Sequence, residues 1–205
     1  MTGVLFALER EAAPFRRQVR GRANVAVRVS GVGRAAARAA ASRLIVEVRP
    51  ERVIAAGFSG ALDPALKVGD IVVSPRIVTV DRVVGTPADK ATLRATTGAD
   101  AVDMESAAVE DVCRERGVGF LAVRAVSDTA DAALSPELVR LLNGGTVSVP
   151  RVLWALVRGP ALLPEFLRLG RDTATAADAL ARALVARLDQ EAAASDTITS
   201  SRSRT

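Results

Sequence analysis

Between residues 4 and 126 the chain passes repeatedly from a short apolar run into a stretch with helical spacing. Val4 to Leu8 leads into Glu9 to Val19, and Asn24 to Val29 leads into an alanine-rich segment that ends near Val48, before Pro50. Arg52 to Gly57 is a second buried run, followed by a Gly- and Pro-punctuated loop over Phe58 to Asp70. Strand-like runs broken by Pro75 fill Ile71 to Val84, and a helix is expected over Ala88 to Thr97. Ala101-Val102 then leads into a helix over Met104 to Arg116, and Phe120 to Val126 is the last core strand. Runs too short for buried helices, alternating with helical patterns, bury their apolar atoms only as a sheet covered on both faces. The predicted fold is α/β, three layers in the order α/β/α around a mostly parallel or mixed central sheet.

After Ser135 the pattern turns helical, over Pro136 to Leu142, Val152 to Val157, Ala161 to Leu169 and Thr173 to Leu188. Ser and Thr dominate from Ala194. The expected organisation is one domain over 1–193 with a helical C-terminal part from about 135, and a disordered tail over 194–205.

Composition narrows the chemistry. The 205 residues include no histidine and one cysteine, Cys113. An internal disulfide is excluded, a reducing compartment fits, and Ser-His-Asp and Cys-His catalysis are ruled out together with most zinc sites. Acid–base work falls to carboxylates, Lys or Cys113. Net charge is +5, but the arginines are scattered, and with no tyrosine and one tryptophan there is little aromatic surface for stacking bases. Nucleic acid is therefore not the expected partner. No apolar run approaches the ~18 residues of a membrane span, and Met1 to Leu8 lacks the features of a signal segment, so a cytoplasmic location is expected.

Three constellations could carry chemistry. On a helix beginning near Met104, Ala108, Val109, Val112 and Cys113 form the apolar face, and Glu105 falls inside that arc. A carboxylate there either points into a pocket at the helix start or caps its own helix. Asp128 follows the buried run Phe120 to Val126, at the strand end where open α/β sheets bind ligands, flanked by Ser127 and Asp131. An ordinary turn acid is the alternative. Glu9 and Glu11 follow the first strand in the same way. Third, Gly31-Val32-Gly33-Arg34-Ala35-Ala36 mimics a dinucleotide fingerprint and supports a Rossmann-type oxidoreductase as the competing reading. That reading needs an acid at the end of the next strand, and the residues there are Ala55-Ala56-Gly57-Phe58.

Five segments, taken in order, resemble the family of nucleoside phosphorylases and methylthioadenosine/S-adenosylhomocysteine nucleosidases. They are Ala7-Leu8-Glu9-Arg10-Glu11, Ser30-Gly31-Val32-Gly33, and Gly57-Phe58-Ser59-Gly60-Ala61-Leu62 with Lys67 to Ser74. The two most specific are Val102-Asp103-Met104-Glu105-Ser106-Ala107-Ala108 and Arg124-Ala125-Val126-Ser127-Asp128-Thr129-Ala130-Asp131. Within the family, Val80 to Val84 with Lys90, and Arg151 to Arg171, are most similar to hopanoid-associated phosphorylases.

The resemblance implies cleavage of the N-glycosidic bond of a purine nucleoside, adenine foremost, with a 5′-substituted ribose that in the hopanoid-associated group is lipid-linked. It implies a homo-oligomer and no cofactor, with phosphate as the alternative co-substrate to water. It assigns Asp128 to protonate or hydrogen-bond the purine N7, Ser127 to orient it, and Glu105 to hold the ribose hydroxyls with Met104 against the sugar. Glu11 would position the water nucleophile, and Ser59 and Gly60 belong to the glycine loop beside the base or nucleophile. Phe58 is the one aromatic placed to stack on the base. The segment Ser74 to Thr86 is shorter than in the family, where a longer insert helps to form the base pocket and the dimer contact. A nucleoside-binding member with weakened catalysis is a further alternative.

At the places where phosphate-using members carry arginines, this chain has Glu11 and Ala55. A carboxylate near phosphate is unfavourable, but it suits a water that must lose a proton, so hydrolysis is the expected route. Arg10 and Arg34 are the cations that could oppose this. The apolar and arginine-rich stretch from Arg151 to Arg171 suits either a lipid-facing surface, making peripheral membrane contact, or a subunit-facing one. Packing on the domain core is the plainer expectation.

Overall fold

A computed structural model of the chain describes residues 1–135, 139 and 163–202. The helices expected over 136–142 and 152–157, and most of the 151–171 stretch, lie outside these described residues. Among the described residues the elements run β1 (Thr2–Phe6), α1 (Glu9–Gln18), β2 (Val25–Val29), α2 (Arg34–Val48), β3 (Arg52–Ala61), β4 (Ile71–Val73) and β5 (Ile77–Thr79). They continue with α3 (Pro87–Thr97), β6 (Ala101–Asp103), α4 (Ser106–Arg116), β7 (Gly119–Asp128) and α5 (Leu163–Arg202).

The strands form one seven-stranded mixed sheet. β1 pairs in parallel with β2 and β3, and β3 in parallel with β7. β6 joins the end of β3 antiparallel at Gly60 and Ala61, β5 runs parallel to β6, and β4 runs antiparallel to β7. Helices cover both faces, as the alternating pattern requires. On one side α1 and α5 pack on Val4, Phe6, Ile54, Ala56, Val123 and Ala125. On the other, α2 and α4 pack on Leu5, Val53 and Ala55.

Sequence spacing explains the helix faces. In α5, Ala176, Leu180, Ala181, Leu184 and Leu188 fall on one stripe and are buried. Full burial of Leu180 and Leu184 contributes roughly 1.5–3 kcal/mol each. In α4 the buried stripe is Ala108, Val109, Val112 and Cys113, the face expected from the wheel. Small residues let α2 approach closely: Ala37 and Ala41 are fully buried, and a Cβ on Gly3 would come within 2.9 Å of Leu44. No helix among the described residues is long and apolar enough to cross a membrane.

Two boundaries differ from expectation in ways that matter to the site. β3 runs on through Ala61, so Phe58, Ser59 and Gly60 are strand residues and not loop. The small side chains and two glycines conceal the strand pattern there, while pairing with β7 and β6 supplies the hydrogen bonds. α4 begins at Ser106, leaving Met104 and Glu105 just before the helix.

Candidate active site

The carboxyl ends of the core strands converge on a cavity of about 640 Å³. β1 delivers Ala7 to Glu11, β3 Phe58 to Gly60, β6 Val102 to Glu105, and β7 Ser127 and Asp128. The cavity thus sits where strand ends leave a crevice in an α/β sheet. The eight residues to which the resemblance assigns a place in the site, Glu11, Asp128, Glu105, Met104, Ser127, Phe58, Ser59 and Gly60, all line it, whereas Asp131, Arg34 and Cys113 do not.

Glu11, in the first turn of α1, is 3% exposed. Its Oε2 accepts from the Ala7 and Leu8 amides at 3.0 and 2.8 Å, and its Oε1 accepts from the Phe58 amide at 2.9 Å. Burial raises this carboxyl above its usual range, and the Phe58 amide, Arg124 and the Leu8 amide offset part of that rise. The result is a fixed carboxylate more basic than one in water.

Behind Glu11 lies Arg124, in the middle of β7 and 2% exposed. It pairs with Asp103 at 2.5 Å, reaches Glu105 at 3.9 Å, and donates to Ser106 Oγ at 3.0 Å. Burial alone would lower its pKa, but Asp103, Glu105 and Glu11 more than offset that, and the guanidinium stays charged. Gly57, opposite Arg124 in the β3–β7 ladder, leaves the room: a Cβ there would collide with the guanidinium and sit 3.0 Å from Glu11 Oε1.

Glu105 sits at the N-cap position of α4, but its side chain makes no capping hydrogen bond. Asp103 Oδ2 accepts from the Ser106 amide at 3.0 Å, and Thr79 Oγ1 accepts from the Ala107 amide at 3.0 Å. Those partners take the first two amides of α4 and the Glu105 carbonyl takes the next two, which leaves the Glu105 carboxylate free to accept from the Gly33 amide on Oε1 at 2.9 Å. Burial raises the Glu105 carboxyl as well, against the pull of Arg124 and Gly33. The same contact overturns the dinucleotide reading. Gly33 has φ +94° and aims its amide at a carboxylate, where a pyrophosphate would need that donor free.

The opposite side of the cavity holds a second group. Asp128, the last residue of β7, accepts from Ser127 Oγ on Oδ1 at 2.9 Å and from Lys90 Nζ on Oδ2 at 2.6 Å. Gly60 faces it, and a Cβ there would stand 3.1 Å from Oδ2. Ser59 Oγ is buried with no hydrogen-bond partner among the described residues. Phe58 forms a wall, with the Arg10 guanidinium 5.8 Å from its ring centre. Val80, Val83 and Val84 bring the Ser74–Thr86 segment to the cavity wall, and Leu134 and Leu169 extend its apolar side.

Arg124, Asp103 and Lys90 lie in or beside the motifs read from the sequence, yet no role was assigned to them. An arginine interrupting the apolar run Phe120 to Val126 is the signal that could have revealed the first. Cys113 lies in the core between α2, α4 and the sheet, and burial pushes its thiol up to about 11, so it offers no nucleophile. Arg34 is paired with Asp81 at 3.3 Å.

A mixed sheet between two helical layers, with buried acids gathered at the strand ends round a largely apolar cavity, defines a class of α/β proteins with a crevice at the sheet's carboxyl edge. The sequence model of the Phosphorylase superfamily matches residues 7–78 and 75–141, and the chain belongs to that family. Similar solved structures include the 5′-methylthioadenosine/S-adenosyl homocysteine nucleosidase of Helicobacter pylori bound to a pyrrolidinol compound. It is 17% identical with a TM-score of 0.68, over 92% of this chain and 97% of that one. Futalosine hydrolase of Helicobacter pylori gives the same identity, coverage and TM-score. The Neisseria meningitidis nucleosidase in complex with methylthio-immucillin-A is 21% identical, with TM-score 0.62 over 88% and 96% of the two chains.

Proposed function

We propose that the protein hydrolyses the N-glycosidic bond of a purine nucleoside, adenine foremost, whose ribose carries an apolar 5′ substituent. The observation that carries this reading is the pairing of Glu11 and Asp128 across one cavity, with Glu105 beside the first of them. Cleavage builds positive charge on the sugar and sends an electron pair to the base. Carboxylates at Glu11 and Glu105 stabilise the sugar, Glu11 takes the proton of an attacking water, and Asp128 serves the leaving nitrogen. Glu105 holds the ribose hydroxyls, Met104 packs on the sugar, and the unpartnered Ser59 Oγ offers a further hydrogen bond. The apolar side formed by Val80, Val83, Val84, Leu134 and Leu169 suits the 5′ substituent. The similar structures, named as 5′-methylthioadenosine/S-adenosylhomocysteine nucleosidases and a futalosine hydrolase, support this chemistry.

Water is preferred over phosphate on electrostatic grounds. Around the nucleophile end, Glu11, Glu105 and Asp103 surround Arg124. A phosphate dianion there adds like charge in a low-dielectric pocket, whereas water needs a base. Arg10 and Arg82 also line the cavity, and they give phosphorolysis its remaining support. The test is incubation with a panel of purine nucleosides, with and without phosphate, scoring free base and identifying the sugar. Base release independent of phosphate, with a free sugar product, is expected. A rate that vanishes without phosphate, or a sugar 1-phosphate product, replaces hydrolysis with phosphorolysis. Binding with no release from any nucleoside would leave only a nucleoside-binding protein.

A further inference from the structure

Lys90 is a buried charge that the chemistry above does not use. It projects from α3, whose start is set by Pro87 and by Thr86, which accepts from the Asp89 amide. Lys90 is 0% exposed and does not line the cavity. Its ammonium donates to Asp128 Oδ2 at 2.6 Å, to the Thr129 carbonyl at 2.6 Å and to the Ala132 carbonyl at 3.3 Å. All three N–H bonds are taken, and one of them is aimed at the carboxylate that faces the substrate. A buried ion pair is a poor stability device, because desolvating both charges offsets their attraction and an apolar pair would serve as well. Its position directly behind Asp128 calls for another account.

We propose that Lys90 is the positioning residue of the leaving-group acid: it fixes Asp128 through Oδ2 and holds the proton that the departing base takes up. This rests on the reading of Asp128 as that acid. In the step, an Nζ–H bond breaks and an Oδ2–H bond forms, turning the ion pair into a neutral amine and a carboxylic acid. As the glycosidic C–N bond breaks, its electron pair goes to the base, and the carboxyl proton passes to a base nitrogen, regenerating the carboxylate. The proton that Glu11 removes from water returns through solvent to the amine after product release, so each turnover balances. Other charges face the pair: Asp131 on the loop after β7, which feels both Lys90 and Arg168, and Arg168 and Asp172 from α5, which line a small cleft against Asp128.

The experiment compares wild type with Lys90→Gln, which keeps a neutral N–H donor toward Asp128, and Lys90→Arg, which keeps the charge but cannot release a proton. Circular dichroism checks folding, and the Gln variant carries the test if the bulkier Arg does not fold. Both variants are expected to lower kcat by about 10²-fold with KM within a few-fold. Rescue of kcat by either variant, or a loss that falls on KM with kcat unchanged, overturns the proposal while the glycosidic reading stands. A wild-type protein that releases no base from any nucleoside overturns both.

Discussion

The Gly33 amide donates to Glu105 Oε1 at 2.9 Å, joining the loop after β2 to the residue before α4 across 72 positions of sequence. Because Asp103, Thr79 and the Glu105 carbonyl already take the first amides of α4, the Glu105 carboxylate is free to face the cavity. Replacing Glu105 with Gln keeps an acceptor for Gly33 and removes the charge that would hold the ribose hydroxyls. KM is expected to rise about 10- to 100-fold, the scale of one or two charge-assisted hydrogen bonds. Steady-state kinetics on the best nucleoside of the panel, together with direct binding of its product base, would separate a ribose role from a base role. An unchanged KM removes Glu105 from sugar binding.

Asp128→Asn retains shape and the Ser127 contact but cannot take up and pass on a proton. Turnover should fall by about 10²-fold or more, the usual loss when a general acid is removed. Circular dichroism should be unchanged. Activity within a few-fold of the parent would sink the assignment.

Glu11 sets the acid side of the pH profile. Burial raises its carboxyl, so it is protonated, and useless as a base, at pH values where an ordinary carboxylate is still ionised. kcat/KM should therefore fall as pH drops through a point above the usual carboxylate range. In Glu11→Gln the rate should be lower by about 10²-fold or more and that limb should be missing. A limb that persists in the variant would mean another group controls it. The same shift has a sign for stability. Between its ordinary and raised values, the folded protein takes up this proton before the unfolded chain does, so Glu11 favours the fold as pH falls through that window.

Arg124 tests the electrostatic frame. Arg124→Met leaves Asp103, Glu105 and Glu11 without their shared counter-ion in a buried space. A loss of about 3–5 kcal/mol is expected, the scale for removing one partner of a buried ion pair. Urea denaturation at neutral pH measures it. A loss below about 1 kcal/mol, the scale of a surface pair, would mean that water already screens the cluster.

The sequence by itself determined the layered α/β fold, because short apolar runs alternating with helical stripes have few ways to bury their surface. The apolar face of α4 was legible for the same reason, since Ala108, Val109, Val112 and Cys113 repeat at helical spacing. So were the acids at strand ends, for the end of a buried run marks where a side chain first meets a crevice. Only tertiary structure decided what those acids touch. Lys90 and Asp128 lie 38 residues apart, and Gly57 admits Arg124 only because β3 and β7 are in register there. Periodicity reports which way a side chain faces within its own element. The partner it meets depends on strand order and register, which long-range hydrogen bonding and packing set, and a buried charge is tolerable only once that partner is in place.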